Sequence, residues 1–223
     1  MPLKPRDNPI LNSKIKTIDP DNFSSPHFFD ESPGRTKAEL VRLMRKESAA
    51  DFVGELAPGV HRFGLSKGQF SLIDLIDVIT AQIGPVDLSL STWTAARADL
   101  ARLEELISTR FSSVRFLLDF SFQRRQPALI AEIRRIFGEA SIVVTRNHAK
   151  FLLMKAGDWR LIIRTSMNLN CNPRLEDVEI KDDAALFDFM DRILSEIFEQ
   201  HDTKEQKRKS VRELGQEFAR LKA

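Results

Sequence analysis

Residues 148–170 read HAKFLLMKAGDWRLIIRTSMNLN, and this stretch decides the fold of the chain. Two apolar runs with strand-forming residues flank a short polar break, which predicts a β-hairpin. The predicted loop has three residues, Ala156, Gly157 and Asp158, and Gly157 can adopt a positive φ angle without steric cost. The hairpin is therefore expected to pivot on Gly157.

Four polar side chains interrupt the two apolar runs. His148 and Lys150 lie two residues apart in the first predicted strand, and Ser166 and Asn168 lie two apart in the second. Because side chains alternate along a strand, each pair shares one face. A pivot at Gly157 puts His148 opposite Ser166, so we expect one cluster of four polar side chains.

Strand and helix patterns alternate on both sides of the hairpin. The predicted strands before it are GVHRFGLS, VDLSLSTWT, VRFLLDFSF and SIVVT. The helices between them begin at the capping pair Ser71 and Asp74, at the stretch ARADLARLEELIST, and at Pro127. LEDVEI and the amphipathic stretch AALFDFMDRILSEIF follow the hairpin. This order predicts an α/β fold, with a mixed, largely parallel sheet covered by helices on both faces.

Composition divides the chain into four segments. The first contains six prolines and no sustained period, which is typical of an extended arm. A capping-box pattern at Thr36 and Glu39 predicts a helix in the second. The predicted segments are an arm at 1–34, a helix at 35–58, the α/β domain at 59–200 and a basic tail at 201–223.

The tail has two interpretations. Between Thr203 and Ala223 it holds seven Lys or Arg and three Glu. The pattern favours a solvated helix whose packing stripe is Val211, Leu214, Phe218 and Leu221. The other interpretation is a helix that contacts nucleic-acid phosphates, whose deletion would weaken DNA binding and flatten its salt dependence.

Bulk properties exclude several classes of protein. A net charge of +2 means that polyanion binding requires local clusters of charge. Cys171 is the only cysteine, so no intramolecular disulfide forms, and the chain has no tyrosine for a Tyr-nucleophile mechanism. The N-terminus lacks a secretion signal and no apolar run is long enough for a membrane span. We therefore expect a cytoplasmic protein with no membrane partner.

The polar cluster suits attack on a phosphodiester. An imidazole can act as nucleophile on phosphorus or as acid for the leaving oxygen. A lysine ammonium and the neutral donors of Asn and Ser can stabilise the charge that develops on the phosphate. This chemistry needs no metal and no other cofactor.

The same residues resemble the H-x-K and S-x-N signature of the phospholipase D-like superfamily. The resemblance identifies His148 with the family histidine, Lys150 with its lysine, and Ser166 and Asn168 with the S-x-N pair. It also implies that Glu176 is the downstream acid that orients the histidine. The flanking order of strands and helices is similar to one half of that fold, over residues 59–200.

The sequence departs from the family pattern at two positions. The family aspartate, five residues after the lysine, is replaced by Lys155, and Asp158 is the candidate for its structural role. The glycine before the serine is replaced by Thr165, whose side chain is expected to approach the substrate phosphate. These departures leave open a retained fold with a degenerate site.

The family mechanism uses two histidines, whereas this chain has one H-x-K motif. The other histidines, His27, His61 and His201, do not occur in such a motif. An active site therefore implies a two-fold homodimer with both copies of His148 at the shared interface. We also expect that interface to cover apolar residues of the hairpin, namely Leu152, Met154 and Ile162.

Two alternatives use other features. Glu179 and Lys181, with Asp158 nearby, form a weak (D/E)-x-K pattern typical of Mg²⁺-dependent nucleases. Asp182 and Asp183 could extend that site, although a helix cap explains them better.

The other alternative is a catalytically degenerate phospholipase D-like accessory protein of a phage or mobile element, which binds nucleic acid, or a protein partner through its arm or tail. Trp93 and Trp159 could stack on bases in such a protein. The favoured hypothesis is a homodimeric, metal-independent phosphodiesterase acting on DNA.

Overall fold

The computed structural model describes residues 39–42, 48–171 and 173–201, with backbone alone for 39–42. The predicted arm at 1–34 and the basic tail beyond His201 lie outside the described residues. All described residues belong to one compact unit. Within them, no helix is both long and apolar enough to cross a lipid bilayer.

Eight strands in the described residues form one mixed sheet. They are β1 Glu39–Arg42, β2 His61–Ser66, β3 Val86–Thr92, β4 Phe111–Asp119, β5 Ile142–Thr145, β6 Phe151–Ala156, β7 Trp159–Thr165 and β8 Glu176–Asp182. Their order across the sheet is β1-β2-β8-β7-β6-β3-β4-β5. The predicted α/β class with a mixed sheet is confirmed.

The pairing within the sheet is less parallel than the sequence suggested. Three neighbouring pairs are parallel and four are antiparallel. The alternating strand–helix pattern produces the parallel run β3-β4-β5. The three strands β6, β7 and β8 follow one another without helices, so they form an antiparallel meander in the middle of the sheet.

Helices cover both faces of the sheet, as predicted. They are α1 Ala49–Val53, α2 Leu72–Ile83, α3 Arg97–Arg110, α4 Phe120–Arg125, α5 Pro127–Phe137 and α6 at 184–201. The predicted capping box at the start of α2 is confirmed: Ser71 Oγ accepts from Asp74 N at 3.4 Å, and Asp74 Oδ2 accepts from Ser71 N at 2.8 Å. Pro127 occupies the first turn of α5, where a missing N–H costs no hydrogen bond.

The two faces form two hydrophobic clusters. Leu152 and Met154 of β6 belong to the larger cluster, which includes residues of α1, α2, α3 and α5. Leu153 and Ile162 belong to the smaller cluster, under α6. The prediction that the hairpin would expose Leu152, Met154 and Ile162 is wrong, because this hairpin is central in a sheet that helices cover on both sides.

The predicted helix over residues 35–58 is replaced in its described part by a strand and a short helix. Residues Glu39–Arg42 form β1, which pairs in parallel with β2, and α1 begins only at Ala49. Glu39, expected in a capping box, is opposite Arg62 in the strand ladder. Pairing with a distant strand has overridden the local helical pattern.

The hairpin forms with a turn one residue shorter than expected. Ala156 pairs with Trp159, so the turn consists of Gly157 and Asp158. The positive φ predicted for Gly157 is confirmed at 51°. This register places Phe151 opposite Arg164, which rules out the predicted pairing of His148 with Ser166.

Candidate active site

The candidate site lies where the parallel strands end. The carboxyl ends of β3, β4 and β5 lie at one edge of the sheet. Trp93 follows β3, Asp119 is the last residue of β4, and Asn147 and His148 follow β5. Ligand sites of α/β proteins form at this edge, because the loops after the strands converge there.

His148 and Lys150 lie in the segment between β5 and β6, so their predicted position within a strand is wrong. The reason is the side chain of Asn147, which is buried. Its Oδ1 accepts from Ala149 N at 3.1 Å, and the carbonyl of Ala149 accepts from Ser91 Oγ at 2.8 Å. Both backbone groups of Ala149 are thus bound by side chains and are withheld from the strand ladder.

Asn147 also anchors this segment to the parallel strands. Its Nδ2 donates to Ser91 Oγ of β3 at 2.9 Å and to the carbonyl of Leu117 of β4 at 3.3 Å. His148 is exposed, but Asn147, the residue before it, is fixed in the protein interior.

The ring of His148 contacts the indole of Trp93. The two ring centres are 5.8 Å apart and their planes are inclined by 58°, an arrangement typical of favourable aromatic contacts. Trp93 N also donates to Asn168 Oδ1 at 3.3 Å. Trp93 therefore brings together two of the predicted site residues, His148 and Asn168.

Lys150 lies in the same loop, and both its side chain and its backbone form hydrogen bonds. Its Nζ donates to the carbonyl of His148 at 3.1 Å, while the carbonyl of Lys150 accepts from Thr165 N at 3.3 Å. An ammonium group has three donors, so this bond leaves two for a phosphate oxygen.

The position of Asn168 is fixed by the next residue, Leu169, which pairs with the loop after β3. Leu169 forms a parallel bridge with Ala95 and donates from its N–H to the carbonyl of Thr94 at 3.2 Å. Because Asn168 Oδ1 accepts from Trp93 N, the amide end Nδ2 is the end that can donate to a substrate.

Ser166 and Glu176 form a second pair. Ser166 Oγ donates to the Glu176 carboxylate and accepts from Asp177 N at 3.0 Å. Glu176 is buried, at 8% exposed. Glu176 is thus bonded to Ser166. The role of Glu176 in orienting His148, which the family resemblance implies, stays a prediction.

Thr165 does not project as the sequence suggested. It is buried, and its hydroxyl donates to the carbonyl of Asp177 and accepts from Met167 N at 3.0 Å. Its side chain is therefore turned into the protein. Asp158 lies in the hairpin turn, at the opposite end of β6 from His148, and Lys155 is exposed near that end.

Asp119 joins the loops of the site. Its Oδ1 accepts from Ser121 N at 2.8 Å at the start of α4, and its Oδ2 accepts from Asn147 N at 3.1 Å. Burial alone would raise the pKa of Asp119, but hydrogen bonds from Ser121 and Asn147 favour the carboxylate and lower it. The carboxylate thus links α4 to the loop that carries His148.

The residues of the metal-dependent alternative are engaged elsewhere. Glu179 pairs with His61 at 2.8 Å and with Arg164 at 2.6 Å. Lys181 Nζ contacts Asp183 at 2.7 Å. In the described part of the chain, His, Cys, Asp and Glu side chains form no group of three that could hold a metal ion.

The two aspartates next to that alternative site have structural contacts. Asp183 accepts from Leu186 N at 3.0 Å and caps α6, and this bond, with that from Lys181, lowers the pKa of Asp183. Asp182 accepts from Gly59 N at 2.9 Å and from Arg160 N at 3.1 Å. The predicted helix cap at this position is confirmed.

His27 lies outside the described residues.

Sequence reasoning missed most of the residues that assemble the site. It considered Trp93 only as a base-stacking residue, and it did not single out Asp119 or Asn147. One signal was present: each of the predicted parallel strands is followed by polar or aromatic residues at its carboxyl end.

No family model matches the chain, and no curated protein matches it. Among solved structures, it is similar to polyphosphate kinase from Porphyromonas gingivalis, with 10% identity and a TM-score of 0.44 over 61% of this chain and 26% of the kinase. It is also similar to NucT from Helicobacter pylori, with 10% identity and a TM-score of 0.42 over 62% of this chain and 96% of NucT. The chain spans about a quarter of the length of that kinase.

Proposed function

We propose that the chain is a metal-independent phosphodiesterase that cleaves DNA through a covalent intermediate on His148. One observation supports the proposal: at the carboxyl edge of the parallel strands Trp93 contacts His148 and Asn168, and Lys150 donates to the carbonyl of His148. This set supplies a nucleophile, a cation and a neutral donor for attack on phosphorus, and a proton donor for the leaving oxygen is still required.

The first step forms a bond between an imidazole nitrogen of His148 and phosphorus. The bond from phosphorus to the leaving oxygen breaks, and that oxygen takes a proton from the imidazolium of the partner subunit's His148. Lys150 and Asn168 donate hydrogen bonds to the non-bridging oxygens, where negative charge increases. The product of this step is a phosphohistidine and a strand with a free hydroxyl.

The second step restores the enzyme. Water attacks phosphorus and gives a proton to the partner subunit's His148, which is now neutral, and the nitrogen–phosphorus bond breaks. The homodimer is part of this proposal because one H-x-K motif supplies one histidine, and the two steps need an acid and a nucleophile on opposite sides of phosphorus.

The proposal is tested with purified protein in EDTA, on DNA and on bis(p-nitrophenyl) phosphate. We expect activity to persist in EDTA and to fall by more than about 1,000-fold in His148→Ala, since removing a nucleophile removes the pathway. His201→Ala, on α6, is the matched control and should keep its activity. Protein denatured with detergent at alkaline pH, where a phosphorus–nitrogen bond survives, should carry a phosphoryl adduct on His148 by mass spectrometry.

A Mg²⁺-dependent activity that tolerates His148→Ala would refute this mechanism and support Glu179 and Lys181 instead. Absence of hydrolysis with retained DNA binding would support the second candidate, a degenerate accessory protein that binds nucleic acid or a protein. One observation favours that candidate: the hydroxyl of Ser166 already donates to Glu176 and is not directed to a substrate.

A further inference from the structure

Arg125, at the end of α4, is exposed, yet its guanidinium makes three contacts with the protein. The guanidinium carbon lies 4.0 Å from the centre of the Trp93 ring. One terminal nitrogen donates to the carbonyl of Trp93 at 3.3 Å and approaches Ser121 Oγ at 3.5 Å. An exposed arginine normally samples many rotamers. Stacking on an aromatic ring restricts these rotamers before any anion binds.

The charge of Arg125 is not neutralised by these contacts. Its partners within the described residues are an indole, a carbonyl and a hydroxyl, all of them neutral. Many other arginines of this protein pair with carboxylates, as Arg115 does with Asp191 and Arg164 with Glu179. The nearest acid in this network, Asp119, is reached through Ser121 and is also bound by Asn147 N. Arg125 thus presents a positioned cation that can bind an anion.

The cation lies close to the candidate nucleophile. Trp93 contacts both groups, at 4.0 Å from the guanidinium carbon and at 5.8 Å from the His148 ring centre. The guanidinium is therefore no farther from the imidazole than the sum of those two distances. Successive phosphates of one strand rise only about 3.4 Å along the duplex axis, which is well below that upper bound, so neighbouring phosphates of one strand can contact the two groups.

We infer that Arg125, held by Trp93, binds the phosphate next to the one that His148 attacks, so that the site prefers a polynucleotide strand to an isolated phosphodiester. Lys150 contacts the reacting phosphate, and Arg125 fixes the position of the strand. The planar fork of a guanidinium suits two oxygens of one phosphate. This inference rests on the proposed function for its placement of the reacting phosphate.

The test separates strand binding from cleavage. Single-stranded oligonucleotide binding is measured by fluorescence anisotropy in a His148→Ala background, where no cleavage occurs. We expect Arg125→Ala to weaken binding about tenfold and to lower the log–log salt slope by about 0.7, the value for one phosphate contact with a single strand. Arg124→Ala, the adjacent exposed arginine on the same helix, removes the same charge and should change the affinity less than twofold.

Two further variants test the role of the ring. Arg125→Lys keeps the charge but loses the stacked fork, so it should recover only part of the affinity. In a Trp159→Phe background, Trp93 is the only tryptophan, and its fluorescence should change when the oligonucleotide binds. In the active protein, Arg125→Ala should raise KM for the oligonucleotide about tenfold, and it should slow bis(p-nitrophenyl) phosphate turnover less than twofold.

Equal effects of Arg124→Ala and Arg125→Ala would overturn the inference, because they would reflect net charge alone. A loss on bis(p-nitrophenyl) phosphate as large as the loss on the oligonucleotide would also overturn it. If no substrate is cleaved, the proposed function fails, whereas the binding assay still decides the role of Arg125. Circular dichroism of each variant confirms that the fold is retained.

Discussion

At the scale of single residues, Asp119 and Asn147 explain why His148 occupies one position. Asn147 binds two strands through its side chain, and its backbone N–H donates to Asp119 at the end of β4. These bonds cross the carboxyl edge of the sheet. Buried polar groups that are fully bonded specify a unique arrangement, because every alternative leaves a donor or an acceptor unpaired.

Asp119→Asn should make the free energy of unfolding depend less steeply on pH in the acidic range. The pKa of Asp119 is lower in the folded state, so its carboxylate stabilises the fold above the unfolded value of about 3.9 and loses that effect as pH falls through the folded pKa. We expect the variant to lose about 1 kcal/mol at pH 7, close to the net contribution of one ordinary hydrogen bond, because the amide oxygen of Asn can still accept. Urea unfolding at several pH values measures the difference.

The difference between wild type and Asp119→Asn should shrink below pH 4. Asp158→Asn is the matched control, since it removes one negative charge from an exposed turn residue. A difference that is constant from pH 7 to pH 3 would contradict the assigned hydrogen bonds to the carboxylate.

The sequence was sufficient to propose His148, Lys150 and Asn168 as site residues, but it did not predict their geometry. H-x-K and S-x-N are local patterns, and their spacing is visible in the chain. The contacts that orient them are not local: Asn147 bonds to Ser91, 56 residues away, and Trp93 bonds to Asn168, 75 residues away. Such partners depend on the packing of the sheet and have no signature in the neighbouring sequence.

At the scale of elements, the hairpin turn sets the register of the centre of the sheet. Gly157 has a φ of 51°, and a Cβ added there would meet no atom within 4 Å. The cost of a side chain at this position is therefore conformational and not steric. The turn can be tested without disturbing any packing.

Gly157→Ala should destabilise the fold by about 1 kcal/mol, because an L-residue pays for the left-handed conformation. Urea unfolding with an unchanged m-value would measure this loss. The neighbouring Asp158→Ala, exposed in the same turn, should change stability by less than half of that amount. Equal stability of wild type and Gly157→Ala would show that the turn adopts another geometry.

Elements with local signals were predicted well, and elements that depend on distant partners were not. Ser71 with Asp74 and Pro127 marked the beginnings of α2 and α5 correctly, since caps are local. The strand β1 was predicted as helix because its pairing with β2 is invisible in the sequence of residues 35–58. The hairpin register failed for a related reason, since loops of two and three residues fit the same apolar runs.

At the scale of the whole molecule, the two core clusters bury the apolar hairpin residues that were expected at a subunit interface. Leu152, Met154 and Ile162 are buried within one chain. Large exposed apolar side chains of the described residues include Phe189 and Ile193, one turn apart on α6. The homodimer is therefore proposed from the requirement for two histidines and not from the hairpin surface.

If both copies of His148 form one site, the protein should be a dimer of about twice 25.5 kDa by light scattering. Mixing experiments give a sharper test. After subunit exchange, an equal mixture of wild type and His148→Ala should retain about one quarter of the activity, because a mixed dimer lacks one histidine.

Retention of one half of the activity would contradict this shared site, since each subunit would then act alone. A stable monomer that cleaves DNA would contradict it as well. His201→Ala mixed with wild type serves as the control and should show no loss.

The strand order of the sheet has a consequence for synthesis of the protein. β6 pairs with β3, and β8 inserts between β2 and β7, so the middle of the sheet closes only when the chain has extended to Asp182. Trp93 leaves the ribosome long before Asn168, its partner 75 residues later. Contacts between distant residues form late, because loop closure precedes them. A growing chain therefore carries His148 and Trp93 before Asn168 has been added, and the proposed site can close only after β7 has been synthesised.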